Sequence, residues 1–301
     1  MPVQASYIMV IIIWSTTPLG IVISSTGMSP TLSVFLRMAI ALVLCFAIIL
    51  VGRYRVPTSR AAWTLYGYSS LGIFGGMLLS YLAAQTVPSG VISLIFGLAP
   101  VLSGLLAQRL LHEVSFSLIK WLGLALSMAG LYLVCTSQLN ELALAPQGLL
   151  YVLGAVSCFS LSGVMIKRVQ VAIHPLASTF GALLLVTPMF GLVWWFSDGQ
   201  LNTEHWQMRS VLATIYLSVF GSLVGFVAYF HVLQKLKAST VALTTLITPG
   251  FAMLLGAWFN NEQITLTLLV GAAVIMVSLA VFQFGEDGWA SITSKLRRRL
   301  L

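Results

Sequence analysis

The sequence has few charged residues: Asp, Glu, Lys and Arg together make up only 7% of its 301 residues. A soluble domain carries about 25%, because its surface must be hydrated, so this chain is not a soluble globular protein. A disordered chain is excluded as well, since disorder requires low hydrophobicity and high charge. The chain is instead 59% hydrophobic, with a mean hydropathy of +1.00. These values predict a polytopic membrane protein.

Acidic residues are especially scarce, and none of the seven lies in the middle of a hydrophobic run. An Asp or Glu inside a membrane helix is the usual proton relay, so no obvious proton-coupling site is present. The four histidines are scattered without metal-binding spacing, and no nucleophile elbow occurs. We therefore expect a protein that is not an enzyme, with no catalytic residue, no metal site and no cofactor. The three cysteines lie in or beside hydrophobic runs and are interpreted as packing residues: Cys45, Cys135 and Cys158.

Long hydrophobic runs dominate the chain. A helix needs roughly 20 apolar residues to cross about 30 Å of hydrocarbon, and ten runs of this kind predict ten transmembrane helices. A membrane β-barrel would show alternating apolar and polar residues instead. The first run has no basic n-region and no cleavage site, so we expect a retained span and not a signal peptide. The predicted spans are 3–25, 31–51, 61–86, 89–108, 116–136, 146–167, 175–197, 209–233, 238–259 and 264–284.

The basic residues predict how these spans are oriented. All of the 15 Lys and Arg residues except Arg37 and Arg209 fall on one side of the ten-span arrangement. Cytoplasmic loops are enriched in Lys and Arg, so both termini are predicted to be cytoplasmic. The net charge of +8 therefore reflects topology, and we expect the lipid bilayer and a small-molecule substrate as partners, with no nucleic acid. The oligomeric state stays open.

The pattern G-x3-G-x8-Q-x14-P-x12-E occurs twice, at an offset of 149 residues. Each half of the chain then holds five predicted helices, an odd number, so the second copy must be inverted in the membrane. Inverted repeats are typical of secondary transporters, with a substrate site near the midplane between the repeats. The predicted fold is all-α, with two inverted five-helix repeats at 5–137 and 145–284 and a short basic cytoplasmic tail at 285–301. The matched residues are Gly72 with Gly221, Gly76 with Gly225, Gln85 with Gln234, Leu94 with Leu243, Pro100 with Pro249 and Glu113 with Glu262.

Several short motifs within this repeat resemble those of the EamA-type proteins of the drug/metabolite transporter superfamily. They are W-S-T-T-P at Trp14–Pro18, S-V-F-L-R at Ser33–Arg37, L-A-P at Leu98–Pro100 with Glu113, and I-T-P ending at Pro249 with Glu262. The resemblance covers about residues 5–284. It implies a ten-helix transporter, often an exporter of amino acids or other metabolites. It also implies a cavity walled by spans 1–4 and 6–9, with spans 5 and 10 at the periphery.

Arg37 is the one charged residue placed well inside a predicted span. An Arg at the centre of a membrane helix costs about 2.5 to 3.5 kcal/mol on insertion scales, so its charge must be compensated. Two interpretations stay open. Either Arg37 meets a network partner, water or an anionic substrate, or it snorkels about 9 Å to the nearer membrane surface.

Polar and aromatic residues within the spans are predicted to line a substrate cavity, because ligand sites are mostly apolar with a few polar anchors. Two prolines halfway along spans 4 and 9, Pro100 and Pro249, are predicted hinges, since proline removes a helical hydrogen bond. Glu113 and Glu262 precede spans 5 and 10 and are expected to stabilise the amino ends of those helices. The predicted substrate-binding residues are Trp14, Ser15, Thr17, Arg37, Tyr81, Ser93, Phe96, Ser162, Phe180, Phe226, Tyr229, Thr244 and Thr248, with Gln85, Cys158 and Thr245 as further lining candidates.

These features predict an inner-membrane secondary transporter that moves a small metabolite by alternating access. The metabolite would be an amino acid, a similar compound or a drug-like molecule, and export is the favoured direction. An importer of the same fold is the first alternative, and a membrane scaffold or sensor that does not transport is the second.

Topology reporters test the predicted orientation. Fusions after Arg60, after Arg168 and at Leu301 are expected to report a cytoplasmic location, because basic residues mark that side. Fusions near Gly27 and Asn202 are expected to report the opposite side. An external carboxyl terminus would contradict both the ten spans and the inverted repeat.

Overall fold

A computed structural model describes residues 2–112, 116–137, 146–169, 171, 173–201, 203–235 and 244–300. These residues form α-helices and contain no β-strand. A π-helical segment, Leu217–Val224, joins α9 to α10. The helices are α1 Val3–Ser24, α2 Pro30–Gly52, α3 Arg60–Ala83, α4 Ser89–Phe96, α5 Ala99–Leu110, α6 Leu118–Thr136, α7 Pro146–Arg168, α8 Pro175–Ser197, α9 Met208–Tyr216, α10 Gly225–Lys235, α11 Thr244–Asn260 and α12 Leu266–Leu300.

Seven helical segments within this part of the chain are long and apolar enough to cross a membrane. Two of them are composite. The segment Ser89–Leu110 contains α4 and α5, and the segment Met208–Lys235 contains α9, the π-helical segment and α10. The predicted bounds of spans 1–8 agree with helical segments to within three residues, although α3, at span 3, is not among the seven. The proline in span 4 indicated an irregularity there, whereas the π-helical segment of span 8 was not predicted. Residues 238–243 of predicted span 9 lie outside the described residues.

The carboxyl-terminal helix differs most from the expected bounds. The sequence predicts a tenth span that ends near residue 284 and a separate basic tail, whereas α12 continues as one helix to Leu300. The residues after 284 contain no proline, and their only glycines are Gly285 and Gly288, which lower helix propensity without ending the helix. The backbone therefore passes from the apolar run into the basic segment without a break.

Serine residues begin several of the helices. The hydroxyl oxygens of Ser29, Ser59 and Ser117 accept hydrogen bonds from backbone N–H groups in the first turns of α2, α3 and α6. Such a cap satisfies one of the amino-terminal N–H groups that a helix leaves without an internal partner. These caps stabilise the amino end of each helix directly after a short loop.

The helices around the centre of the bundle pack through small residues. On α3, Gly72 and Gly75 face Ser162 and Cys158 of α7, and a Cβ on either glycine would lie within 2.8 Å of these side chains. On the other side of the bundle, Gly225 faces Ile13 of α1. Small residues let membrane helices approach closely. The G-x3-G pattern therefore marks close contacts between the two halves of the chain.

The pair formed by α6 and α12 lies apart from this centre and has its own glycine crossing. Gly123 meets Phe282 and Gly130 meets Ile275, so the two helices are antiparallel. The Ser127 and Ser278 hydroxyl oxygens are 2.7 Å apart across the pair. Hydrogen-bonded hydroxyls and close backbones replace the hydrophobic effect, which cannot drive helix association within lipid.

Large hydrophobic side chains are exposed around the bundle, among them Val51, Phe196 and Trp258. An exposed apolar surface of this extent is typical of a membrane interaction site, and the long apolar helices agree with it. The chain is a multi-pass membrane protein.

The glycine crossing of α6 and α12 can be tested with one substitution and a matched control. A Cβ on Gly130 would lie 3.0 Å from the Ile275 nitrogen and 3.1 Å from the Gly271 oxygen. We expect Gly130→Val to lower the free energy of unfolding by about 1–3 kcal/mol, as at other overpacked sites. The melting temperature of the purified protein should fall accordingly. Gly67→Val in α3 is the control, since no atom lies within 4 Å of its Cβ position. Equal melting temperatures for the two variants would contradict a close crossing.

Candidate functional site

A central cavity lies among α1–α5, α7, the π-helical segment, α10 and α11, and encloses about 1010 Å³ of space free of protein atoms, part of it open to solvent. Neither α6, α8, α9 nor α12 contributes a lining residue. The lining is mostly apolar with a few polar groups, as in small-molecule sites. It consists of Trp14, Thr17, Pro18, Ile21, Arg37, Ser69, Gly72, Ile73, Met77, Ser80, Ile92, Ser93, Phe96, Ala99, Phe159, Ser162, Ile166, Gly221, Phe226, Tyr229, Phe230 and Thr248.

Four aromatic rings form one wall of this cavity, which we call the aromatic wall: Trp14, Phe96, Phe159 and Tyr229. The Trp14 ring lies 5.7 Å from Phe159 and 5.3 Å from Tyr229 between centroids. Phe159 also lies 5.6 Å from Tyr229 and 6.1 Å from Phe96. These distances are typical of stabilising aromatic pairs. Phe159 contacts each of the other three rings and is therefore central to the wall.

Arg37 reaches the cavity from α2 and is the only charged residue among the lining residues of the described chain. Its side chain is fully buried, and its Nε donates a hydrogen bond to the Ser222 Oγ over 2.8 Å. Neither Nη1 nor Nη2 has a hydrogen-bond partner among the described residues. A snorkelling guanidinium would be exposed at its tip, so this burial favours the interpretation in which Arg37 has a partner inside the bundle.

The π-helical segment accommodates this guanidinium. A Cβ on Gly221 would lie 2.9 Å from Arg37 Nη2, so a larger residue would displace the charge. Ser222, which accepts from Nε, follows directly. A π-helical turn widens the helix by one residue and is frequent at functional sites. The first glycine of the other G-x3-G copy, Gly72, instead packs directly against Ser162 of α7.

Nine of the predicted binding residues line the cavity: Trp14, Thr17, Arg37, Ser93, Phe96, Ser162, Phe226, Tyr229 and Thr248. Four do not. Ser15 is buried and donates to the Ile11 carbonyl, since consecutive helical residues point about 100° apart. Tyr81 and Thr244 are fully buried outside the lining, and the Phe180 ring stacks on Phe46.

Two of the three further lining candidates also lie elsewhere. Gln85 is exposed just beyond the end of α3, and Cys158 packs against Gly75. The side chain of Thr245 lies outside the described residues. Polarity within a span therefore did not by itself identify the helix face that meets the cavity.

Sequence reasoning missed several lining residues, of which Phe159 and Phe230 are the largest apolar examples. An apolar residue within a hydrophobic span carries no signal that separates a cavity face from a lipid face. The spacing of Phe159 and Ser162 was the available signal, because residues three apart share one face of a helix.

The two predicted hinge prolines lie in different surroundings. Pro100 is the second residue of α5, just after Gly97 and Leu98 separate α4 from α5. The Ala99 carbonyl next to it accepts a hydrogen bond from the Ser160 hydroxyl of α7. Pro249 lies inside α11, which is helical on both sides of it. Ala99 and Thr248, the residues before the two prolines, both line the cavity.

Glu262 makes a contact that the sequence did not predict. Its two carboxylate oxygens accept hydrogen bonds from the backbone N–H groups of Ser89 and Gly90 over 3.0 and 3.2 Å. The Asn260 amide donates to the same carboxylate over 3.2 Å. The carboxylate therefore caps α4 of the other half of the chain, and not the helix that follows it, α12. We call this contact the Glu262 clamp. The matching residue, Glu113, lies outside the described residues.

A multi-pass helical bundle around a cavity with an apolar lining and few polar anchors has the architecture of a small-molecule transporter. The EamA-like transporter family matches the chain over residues 5–136 and again over residues 146–283. The chain belongs to this family, and it is therefore a transporter of the EamA type within the drug/metabolite transporter superfamily.

Several transporters and transporter-like proteins are similar to this chain over most of its length. The uncharacterized inner membrane transporter YedA of Escherichia coli K12 is 22% identical over 95% of this chain and 92% of its own length. The uncharacterized transporter YvbV of Bacillus subtilis is 25% identical over 74% of this chain and 72% of its own. A chloroplastic WAT1-related protein of Arabidopsis thaliana is 28% identical over 77% of this chain, which spans 57% of the plant protein.

A solved crystal structure has the same fold. It superposes with a TM-score of 0.67 at 18% identity and covers 94% of this chain and 97% of its own. At this identity the likeness supports the arrangement of helices and says nothing about the substrate.

Proposed function

We propose that this protein is a secondary transporter of the inner membrane that exports a small metabolite by alternating access. The observation that carries the proposal is the central cavity, which lies between the two family-matched segments and takes residues from both. Substrate sites of inverted-repeat transporters lie at this interface. The substrate would be an amino acid, a similar metabolite or a drug-like compound that contacts the aromatic wall.

The pairing of helices supports ten spans in two inverted repeats. Helix α3 packs along α7, the first helix of the second half, and α10 packs along α1, the first helix of the first half. Likewise α6 and α12, the last helix of each half, pack on each other. An inverted repeat requires such reciprocal pairs, because a two-fold axis exchanges the halves. In this proposal the repeats are 5–137 and 145–284, and both termini are cytoplasmic.

The Glu262 clamp supplies a contact that can open and close. It joins the start of α4, in the first half, to the loop between α11 and α12, in the second half. The predicted topology puts this contact on the external side. Gly256 leaves the space that the carboxylate occupies, because a Cβ there would overlap Glu262 and Ser89. We propose that the formed clamp closes the external end of the cavity and that its release opens it.

The interruptions of the helices are the second element of the proposed mechanism. The break at Gly97–Leu98 and the π-helical segment lie on spans 4 and 8, and both are next to lining residues. A continuous helix resists bending, whereas proline and π-helical turns are the usual sites of kinks. Pro100 and Pro249 are therefore proposed as the hinges on which spans 4 and 9 move.

Efflux from cells tests the direction and the hinges together. Cells that overproduce the protein should lose radiolabelled compounds from a panel of amino acids, organic acids and amines faster than cells without it. The double variant Pro100→Ala, Pro249→Ala should reach the membrane in equal amount and show slower efflux, because restored helical hydrogen bonds bias one access state. Pro57→Ala, in the loop between α2 and α3, is the control. Faster accumulation would mean import, and no flux in either direction would contradict transport.

The Glu262 clamp is tested by the accessibility of the cavity. A cysteine introduced at Ser93, with the three native cysteines replaced, would report entry of a membrane-impermeant thiol reagent. Glu262→Gln should increase its labelling rate from outside several-fold, because an amide offers one acceptor oxygen to two backbone N–H groups. Glu204→Gln, outside the clamp, should leave the rate unchanged. Unchanged labelling in Glu262→Gln would mean that the clamp does not close the cavity.

A further inference from the structure

The Arg37 charge is buried in the cavity wall without a counter-charge. Its side chain is fully buried, yet it makes no ion pair with any of the described residues. Its one hydrogen bond, to Ser222, goes to a neutral hydroxyl. A buried charge is normally paired and fully hydrogen-bonded, since an unpaired one costs several kcal/mol. The resting site is therefore electrostatically incomplete.

The free part of the guanidinium has a defined shape. Ser222 occupies Nε, which leaves the end of the fork, Nη1 and Nη2, without partners among the described residues. Two parallel N–H donors on adjacent nitrogens match the two oxygens of a carboxylate, and such bidentate pairs are short and strong. Gly221 lines the cavity beside Nη2 and leaves room for the guanidinium, because a Cβ there would lie 2.9 Å from Nη2.

The remaining lining restricts the rest of the ligand. Among the described residues the lining contains no Asp or Glu that would pair with an ammonium group. It offers the aromatic wall, aliphatic side chains such as Ile73, and a few hydroxyls. A ligand with one carboxylate and an apolar body would neutralise Arg37 and bury its body against these groups, whereas a second charge would lack a partner.

From this we infer that the central cavity binds a monoanionic small organic acid, with its carboxylate held end-on by the Arg37 guanidinium and its apolar body against the aromatic wall. The inference rests on the proposed transport function and specifies its substrate class. The carboxylate is the recognised group, and an amino group on the ligand is not required. Gly221 and Ser222 act as positioning residues, because they hold the guanidinium in place and neither has a charged group that would bind the ligand.

Thermal stabilisation of the purified, full-length protein tests this site without transport. The probes are two matched pairs, 3-phenylpropionate with its amide and isovalerate with its amide, at constant ionic strength. At least one acid should raise the melting temperature in a saturable manner, since a ligand of the folded state stabilises it. The uncharged amides should not do so at the same concentrations. No stabilisation by either acid, or equal stabilisation by acid and amide, would overturn the inference.

Variants then assign the effect to the guanidinium. Arg37→Lys should weaken the apparent affinity for the acid about tenfold or more, because a point charge replaces the fork, and Arg37→Gln should abolish the stabilisation. Gly221→Ala keeps the charge but displaces Nη2 and should also weaken binding. The controls are Arg109→Gln, which removes an exposed charge at the end of α5, and Gly67→Ala, which adds a Cβ in open space.

Two further outcomes would contradict the proposed carboxylate site. Wild-type affinity in Arg37→Lys would overturn a bidentate site, and equal stabilisation by sodium chloride or inorganic phosphate would overturn an organic acid as the ligand. The test is separable from the transport experiment. Arg37-dependent binding without any flux would leave the site and refute the transporter. Efflux of neutral compounds that survives Arg37→Gln would leave the transporter and refute the site.

Discussion

The architecture depends on one constraint, namely that hydrocarbon offers no hydrogen-bond partner to a backbone group. A helix satisfies its own backbone, so departures from helix are tolerated only where protein or a water-filled space supplies the missing partners. In this chain the break at Gly97–Leu98 and the π-helical segment Leu217–Val224 both lie beside the cavity lining. The Ser160 hydroxyl of α7 donates to the Ala99 carbonyl directly after this break. The cavity thus coincides with the places where the helices are least regular.

The same constraint explains the Glu262 clamp. The amino end of α4 presents N–H groups that no helical carbonyl accepts, and no side-chain oxygen of its own amino-terminal residue caps it. The carboxylate of the opposite half supplies the acceptors for Ser89 and Gly90. A cap within one helix stabilises that helix alone. A cap from the other half also couples the positions of the two halves, which makes the stability of α4 depend on their arrangement.

The sequence was sufficient to predict features that depend on long hydrophobic runs. It was insufficient for features that depend on which face of a helix a residue occupies. Hydropathy and turn residues predicted the bounds of the first eight spans because each is a property of many residues. Pro100 indicated the irregularity of span 4, whereas nothing comparable marks the π-helical segment, which contains no proline. Ser15 and Trp14 are neighbours in sequence, but only Trp14 meets the cavity. Phe159 was missed because an apolar residue gives no sign of which face of a helix it occupies.

The proposed repeat also leaves the charge of the cavity asymmetric. In the early spans of the proposed repeat, Tyr7 matches Tyr151 and Pro30 matches Pro175, an offset of 144–145 residues. This offset pairs Arg37 with Gly181 or Ala182. There the second half has a tight contact, in which a Cβ on Gly181 would lie 2.5 Å from the Tyr66 ring. An arginine at that position would have no space. In the proposed repeat the helices recur but the charge does not, so the cavity has one cationic wall facing apolar and aromatic groups. Such a cavity would bind an elongated ligand in one orientation, with its charged end at α2, even though the helices around it are arranged in two similar halves.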